Sequence, residues 1–221
     1  MGNTNSADLE SPLQAPSGSM QAFDGSIIAQ CETNLQANSS TFQTSATVKD
    51  LATNNPIILF KGKMLSSRVM LETPEGQIIA CIKNNSISSK YHIFQGDQTD
   101  EESFIIDTIS GFFSTMVLVA EFTDRQTGTP CRIVAKGNPS DKAVLCYLER
   151  GSPTLSQLKR SDDFTQNQDR YERVGRICRK SHFTTEDYFI EAPAGVDLTL
   201  LLLIWHVRHA WLLDERTSAP S

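Results

Sequence analysis

Short runs rich in Val, Ile, Phe and Thr recur along the chain at 41–49, 56–61, 67–72, 77–83, 90–95, 103–109, 116–122, 130–136, 143–149, 171–179 and 187–192. Turn-forming clusters stand between several of them: Thr73-Pro74-Glu75-Gly76, Gln95-Gly96-Asp97, Thr127-Gly128-Thr129-Pro130 and Gly137-Asn138-Pro139-Ser140. Gly, Asn and Pro supply the backbone angles that tight turns require, so strands spaced and punctuated in this way predict an antiparallel sandwich or barrel. No long segment between the runs has helical period, which argues against βαβ units. Residues 150–170, with Gly151, Pro153 and mostly polar side chains, break the rhythm and read as a loop insertion.

The last apolar segment differs in kind. From Val196 to Leu213 it includes Leu200-Leu201-Leu202-Leu203-Ile204-Trp205, a run of large apolar side chains that covers every face of a helix. A helix apolar all round is buried all round, in a protein core or in a bilayer. As a membrane anchor it would be about 27 Å long, near the lower limit for spanning. Arg208 near its centre would cost ~2.5–3.5 kcal/mol there, against roughly 3–5 kcal/mol from the Leu, Ile and Val residues. As the axis of a closed barrel of about twelve strands it meets no such conflict: the apolar middle fills the lumen, and His206, Arg208 and His209 lie towards the barrel mouth, with Arg208 reaching water. Asp197 has the chemistry of its N-cap, accepting from the backbone N–H of Thr199 or Leu200.

Residues 1–40 are rich in Ser, Asn, Gln, Ala, Gly and Thr, and Leu9, Leu13 and Phe23 are scattered without period. Such a stretch is expected to be a disordered, net-negative arm. The division that follows is an arm at 1–40, a barrel domain at 41–215 and a short tail at 216–221.

Two stretches carry a resemblance. Asp187-Tyr188-Phe189-Ile190-Glu191-Ala192-Pro193-Ala194-Gly195-Val196-Asp197 before an apolar helix resembles the closing signature of the LURP-one-related family. Ile58-Leu59-Phe60-Lys61-Gly62-Lys63 is similar to its first hairpin, and Val69 to Lys83 to the pattern that follows. Glu72 stands where the family more often has Asp, and the polar segment 150–170 reads as an insertion. The resemblance implies a twelve-stranded barrel around a central helix, as in the Tubby C-terminal-like superfamily, and it implies no reaction. Tubby relatives bind phosphoinositide head groups through basic side chains, but no motif carries those positions over to this chain.

With 26 acidic against 20 basic residues the chain has a net charge of −6, which disfavours a general nucleic-acid binder. Cys31, Cys81, Cys131, Cys146 and Cys178 are widely spaced and odd in number, which suggests free thiols in a reducing, cytoplasmic setting. No secretory leader is visible. Met1-Gly2-Asn3-Thr4-Asn5-Ser6 fits the N-myristoylation pattern, making Gly2 the candidate lipidation site. One myristoyl chain gives only marginal membrane binding, so any tether is expected to be reversible.

Arg173, Arg176, Arg179 and Lys180 are the candidate head-group contacts. On a regular strand Arg173 and Arg179 would share one face, and Arg176 and Lys180 the other. Lys61, Lys63 and Arg68 form a second basic group. Asp97, Asp100, Glu101 and Glu102 make an acidic loop without EF-hand spacing. His206 and His209, without a third ligand at suitable spacing, read as structural rather than metal-binding. No catalytic motif is present, so no reaction and no cofactor are expected. The function expected is therefore a binding or scaffolding barrel whose partners are phosphoinositide or other anionic lipids, or proteins. The alternative is a tail-anchored or scramblase-like membrane protein using the C-terminal helix.

Overall fold

The computed structural model describes residues 12–40, 45–62, 68–84, 89–97, 100–110, 116–137, 143–151, 171–181 and 185–218. The strands are β1 (Thr33–Ser40), β2 (Ala46–Asp50), β3 (Pro56–Gly62), β4 (Arg68–Glu72), β5 (Ile78–Asn84) and β6 (Lys90–Gln95). They continue with β7 (Glu102–Ser110), β8 (Met116–Thr123), β9 (Pro130–Gly137), β10 (Ala143–Arg150), β11 (Glu172–Ser181) and β12 (Thr185–Ala192). Each pairs antiparallel with the next, and β1 pairs with β12 from Thr33↔Ala192 to Ser40↔Thr185, so the sheet is a closed barrel. Several of the turn clusters place Gly where φ is positive, at Gly76, Gly96 and Gly128.

One helix, Leu198–Ser218, follows the last strand. Leu200, Leu201, Leu202, Leu203 and Trp205 have 0 % exposure, and they share one core with the inward residues of the strands, including Ile58, Phe60, Leu71, Ile93, Ile106, Ile133, Ile177 and Ile190. The lumen surrounds the helix, which is why its sequence has no polar face over that run. Each such side chain contributes about 1.5–3 kcal/mol by leaving water. Gly175 marks the closeness of the fit: a Cβ there would lie 2.9 Å from Leu201 Cδ1. Among the described residues no helix is long and apolar enough to cross a membrane.

Several boundaries differ from the sequence-based expectation. Residues 12–40 are not a loose arm. Thr33–Ser40 is the strand that closes the barrel, and residues 12–32 form a strap across one end, with Met20 and Phe23 at 0 % exposure. The strand escaped notice because only Leu35 and Ala37 supply its apolar inward face, and its partner β12 lies at the other end of the chain. Of the expected run at 41–49, residues 41–44 lie outside the described residues, and the strand β2 spans Ala46–Asp50. The helix continues past residue 215 to Ser218. Gly2 and Lys63 lie outside the described residues, as do residues 152–170 of the insertion expected at 150–170, whose first residue, Arg150, is the end of β10.

Replacing Leu202 with Ala is expected to cost about 2–5 kcal/mol in urea unfolding, because the closed lumen cannot collapse around the hole. Replacing Leu51, which is 44 % exposed in the turn after β2, with Ala should stay within about 0.5 kcal/mol. Equal costs would mean that the helix is not the core.

Candidate functional site

The described polar chemistry gathers in three places: the strapped end, the lumen around the second half of the helix, and the outer wall. At the strapped end Asp197 caps the helix as expected, its Oδ1 accepting the Leu200 N–H at 3.0 Å. Its Oδ2 accepts the Ala22 N–H of the strap at 2.8 Å, a role that the local sequence does not betray. Full burial pushes the Asp197 carboxyl up to about 6, against the pull of these N–H groups. A second buried carboxylate, Asp124, sits in the turn after β8 and receives the neighbouring strap amide of Gln21 at 3.0 Å, together with the Thr127 hydroxyl at 2.7 Å. Arg150 at the end of β10 pairs with Asp124 at 3.4 Å and donates to Gly18 O at 2.9 Å. Phe23 stacks on Phe104, with ring centroids 6.1 Å apart.

In the lumen, His206 stacks on Phe60 and His209 on Trp205, while the Tyr188 hydroxyl and His209 Nδ1 share a hydrogen bond of 3.0 Å. Neither histidine stands at the mouth, and Arg208 does not reach water: its exposure is 0 %. The reason is length, since the helix runs on for ten residues beyond Arg208 to Ser218, and Ala210 and Trp211 still pack on the core. Burial, with His209 adding a smaller effect, lowers the His206 pKa to about 3, so the ring is neutral at ordinary pH. Burial likewise pushes the Cys146 thiol up to about 12, with Arg208 pulling weakly the other way, which leaves it a poor nucleophile. All five cysteines are free thiols. Among the described residues no group of three or more His, Cys, Asp or Glu is placed to hold a metal ion.

On the outer wall a β-bulge resets β11. Cys146 pairs with Gly175 but Tyr147 pairs with Arg173, so Val174 is skipped. Arg173 and Arg176 therefore share the outer face, and Arg179, opposite the inward Tyr188, faces the lumen side. The expected grouping of Arg173 with Arg179 is thus corrected: a regular alternation cannot foresee an extra residue. Arg176 is bound to Glu191 at 2.6 Å and is only 15 % exposed. The Lys180 side chain lies outside the described ones. Of the second basic group, Lys61 pairs with Glu72, while Arg68 lies opposite Lys83 and Lys83 opposite His92. In the acidic loop, Glu102 bonds His92.

Sequence reasoning missed an acid–base–acid row on the same wall. Glu121, Arg132 and Glu149 are directly paired across β8, β9 and β10. Arg132 binds Glu149 and the Tyr171 hydroxyl and lies 3.8 Å from Glu121. Burial raises the Glu121 pKa, against the Arg132 charge. Only the register brings these three together; the spacing along the chain gives no signal.

These features define a class: a closed twelve-stranded antiparallel barrel wrapped on its own C-terminal helix and strapped at one end. No family model, no curated protein and no solved structure matches the chain.

Asp197→Ala is expected to destabilise by more than a simple cap, about 1–3 kcal/mol, because it leaves two buried N–H groups without their acceptor. Urea unfolding measures this, and an unchanged midpoint would remove Asp197 from the strap. The pH dependence has a definite sign. His206 is held below its ordinary value of 6.5, so the stability it contributes as a neutral ring is complete above 6.5 and drains as pH falls towards 3. Asp197, raised from 3.8 to about 6, works oppositely: its contribution is complete below 3.8 and lost as pH rises through 6. His206→Phe should therefore gain stability relative to wild type on acidification through this range. A difference that is flat with pH would contradict the buried neutral ring.

Proposed function

We propose that the protein is a non-enzymatic binding or scaffolding barrel of the LURP-one-related, Tubby C-terminal-like kind, acting at the cytoplasmic surface of a membrane as a reversible peripheral protein. The observation that carries this reading is the filled lumen. Leu200–Leu203 and Trp205 occupy the space that an open barrel would offer to a small molecule, so a partner meets the outer wall and the rims. Burial keeps the His206 ring neutral and the Cys146 thiol a poor nucleophile, which favours a structural role for these two groups over catalysis.

Membrane contact in this reading rests first on Gly2, with Met1 removed and a myristoyl chain on the new terminus. One acyl chain needs a second signal for stable anchoring. Arg173 and Arg176, on the same outer face by virtue of the bulge, are the nearest candidates, and an anionic head group would have to compete with Glu191 for Arg176. Arg179 and Lys180 stand further along the same strand. Protein partners at the same wall are the other outcome.

Cells fed a tagged myristate should label the wild type and not Gly2→Ala; equal labelling removes the tether. Arg173→Ala combined with Arg176→Ala should weaken association with phosphatidylserine-containing vesicles by up to about tenfold, with the effect fading at high salt. Undiminished, salt-insensitive binding would leave these arginines without a lipid role.

A further inference from the structure

The strap does more than cover the barrel end, because the first turn of the central helix is built partly from it. A helix begins with four N–H groups that have no partner of their own. Here the Leu198 N–H donates to the strap carbonyl of Ile27 at 2.8 Å, and the Leu200 N–H to Asp197 Oδ1. The Leu201 N–H makes the first bond of the helix itself, to the Asp197 carbonyl at 3.2 Å. The Thr199 hydroxyl accepts the Ile27 N–H at 2.9 Å, and Ile28 bridges to Asp197 in antiparallel fashion. The turn that leads into the helix is clamped from both sides. Gly195 N–H donates to Ala29 O, Ala29 N–H to Val196 O, and Met20 N–H to Gly195 O, at 2.8, 2.9 and 2.9 Å.

The same short piece of strap is also held by the wall. Gln21 and Ala22 are adjacent, yet their N–H groups go to two different buried carboxylates. Gln21 is held by Asp124 in the turn between β8 and β9, and Ala22 by Asp197 at the helix cap. Met20 and Phe23 flank them as fully buried apolar anchors. Lifting the strap would therefore strip an acceptor from the helix N-terminus, a donor from its cap, and the contact that references the helix to the barrel wall.

We infer that the strap and the helix N-terminus form one latch, so that the first turn of the helix holds only while residues 20–29 are docked, and a pull on the chain's N-terminal side is felt inside the lumen. The coupling runs through Asp197, whose two oxygens serve the helix and the strap separately. It is independent of whether Gly2 carries an acyl chain. It gives the fold a conformational device in which lifting the strap loosens the plug of a barrel that is otherwise closed.

The test is amide hydrogen exchange on the full chain. In wild type under increasing subdenaturing urea, Leu200 and Leu201 are expected to exchange through the same opening as Met20 and Ala29 of the strap, and ahead of Leu203 and Ile204. Ala22→Pro removes one strap donor and leaves Asp197 and the helix sequence intact. It should speed exchange at Leu200 and Leu201 by about tenfold or more along with the strap. If the strap amides open while Leu200 and Leu201 keep the protection of the helix middle, the two are separate and the inference fails. Should Ala22→Pro not fold, the wild-type urea series alone decides between these outcomes.

Discussion

A helix that is apolar on every face has to be enclosed on every face, and that requirement organises the molecule. One layer of sheet can cover only one side of Leu200–Trp205, whereas a closed ring of twelve strands covers all sides. Along that run the inward positions of the strands are apolar, as at Ile58, Ile106 and Ile177, because they face the helix and not a solvent channel. Close approach demands small residues at particular places, as at Gly175 beside Leu201. Closure also removes the open edges that strands would otherwise expose.

A filled barrel still has two ends, and the described end shows how backbone polarity is handled there. The helix N-terminus, with its partial positive charge, meets a buried carboxylate, and the strap supplies the remaining acceptor and donor. The two buried acids, Asp197 and Asp124, would be costly if left alone. Each instead receives backbone N–H groups, and Arg150 adds a counter-charge to Asp124. The lumen places polar rings against aromatic ones: His206, held neutral by burial, stacks on Phe60, and His209 stacks on Trp205. The thiol of Cys146 is likewise buried into inactivity.

Chemistry is thereby displaced to the outside. The wall carries an acid–base–acid row at Glu121, Arg132 and Glu149, and a like-charge pair at Arg68 and Lys83. It also carries the two arginines that a bulge turns to the same side. The N-terminal strap adds a mechanical connection between the chain's beginning and its core, which a plain barrel would lack.

Strand spacing, turn residues and the all-apolar terminal segment determined that this chain is a β-barrel around a helix, because burial of that segment admits few solutions. The cap at Asp197 was also legible, since an N-cap acts on amides two or three residues away. What lies far apart in sequence was not. The polar strand Thr33–Ser40 is defined by its partner β12 and not by its own pattern. Met20 and Phe23 touch the core at isolated points without a period. The depth of Arg208 depends on where the barrel ends relative to the helix, and the facing of Arg173 on one skipped residue in β11. Local hydrophobic order writes itself into neighbouring residues, but register, closure and the placing of charges are long-range facts that exist only once the ring has shut.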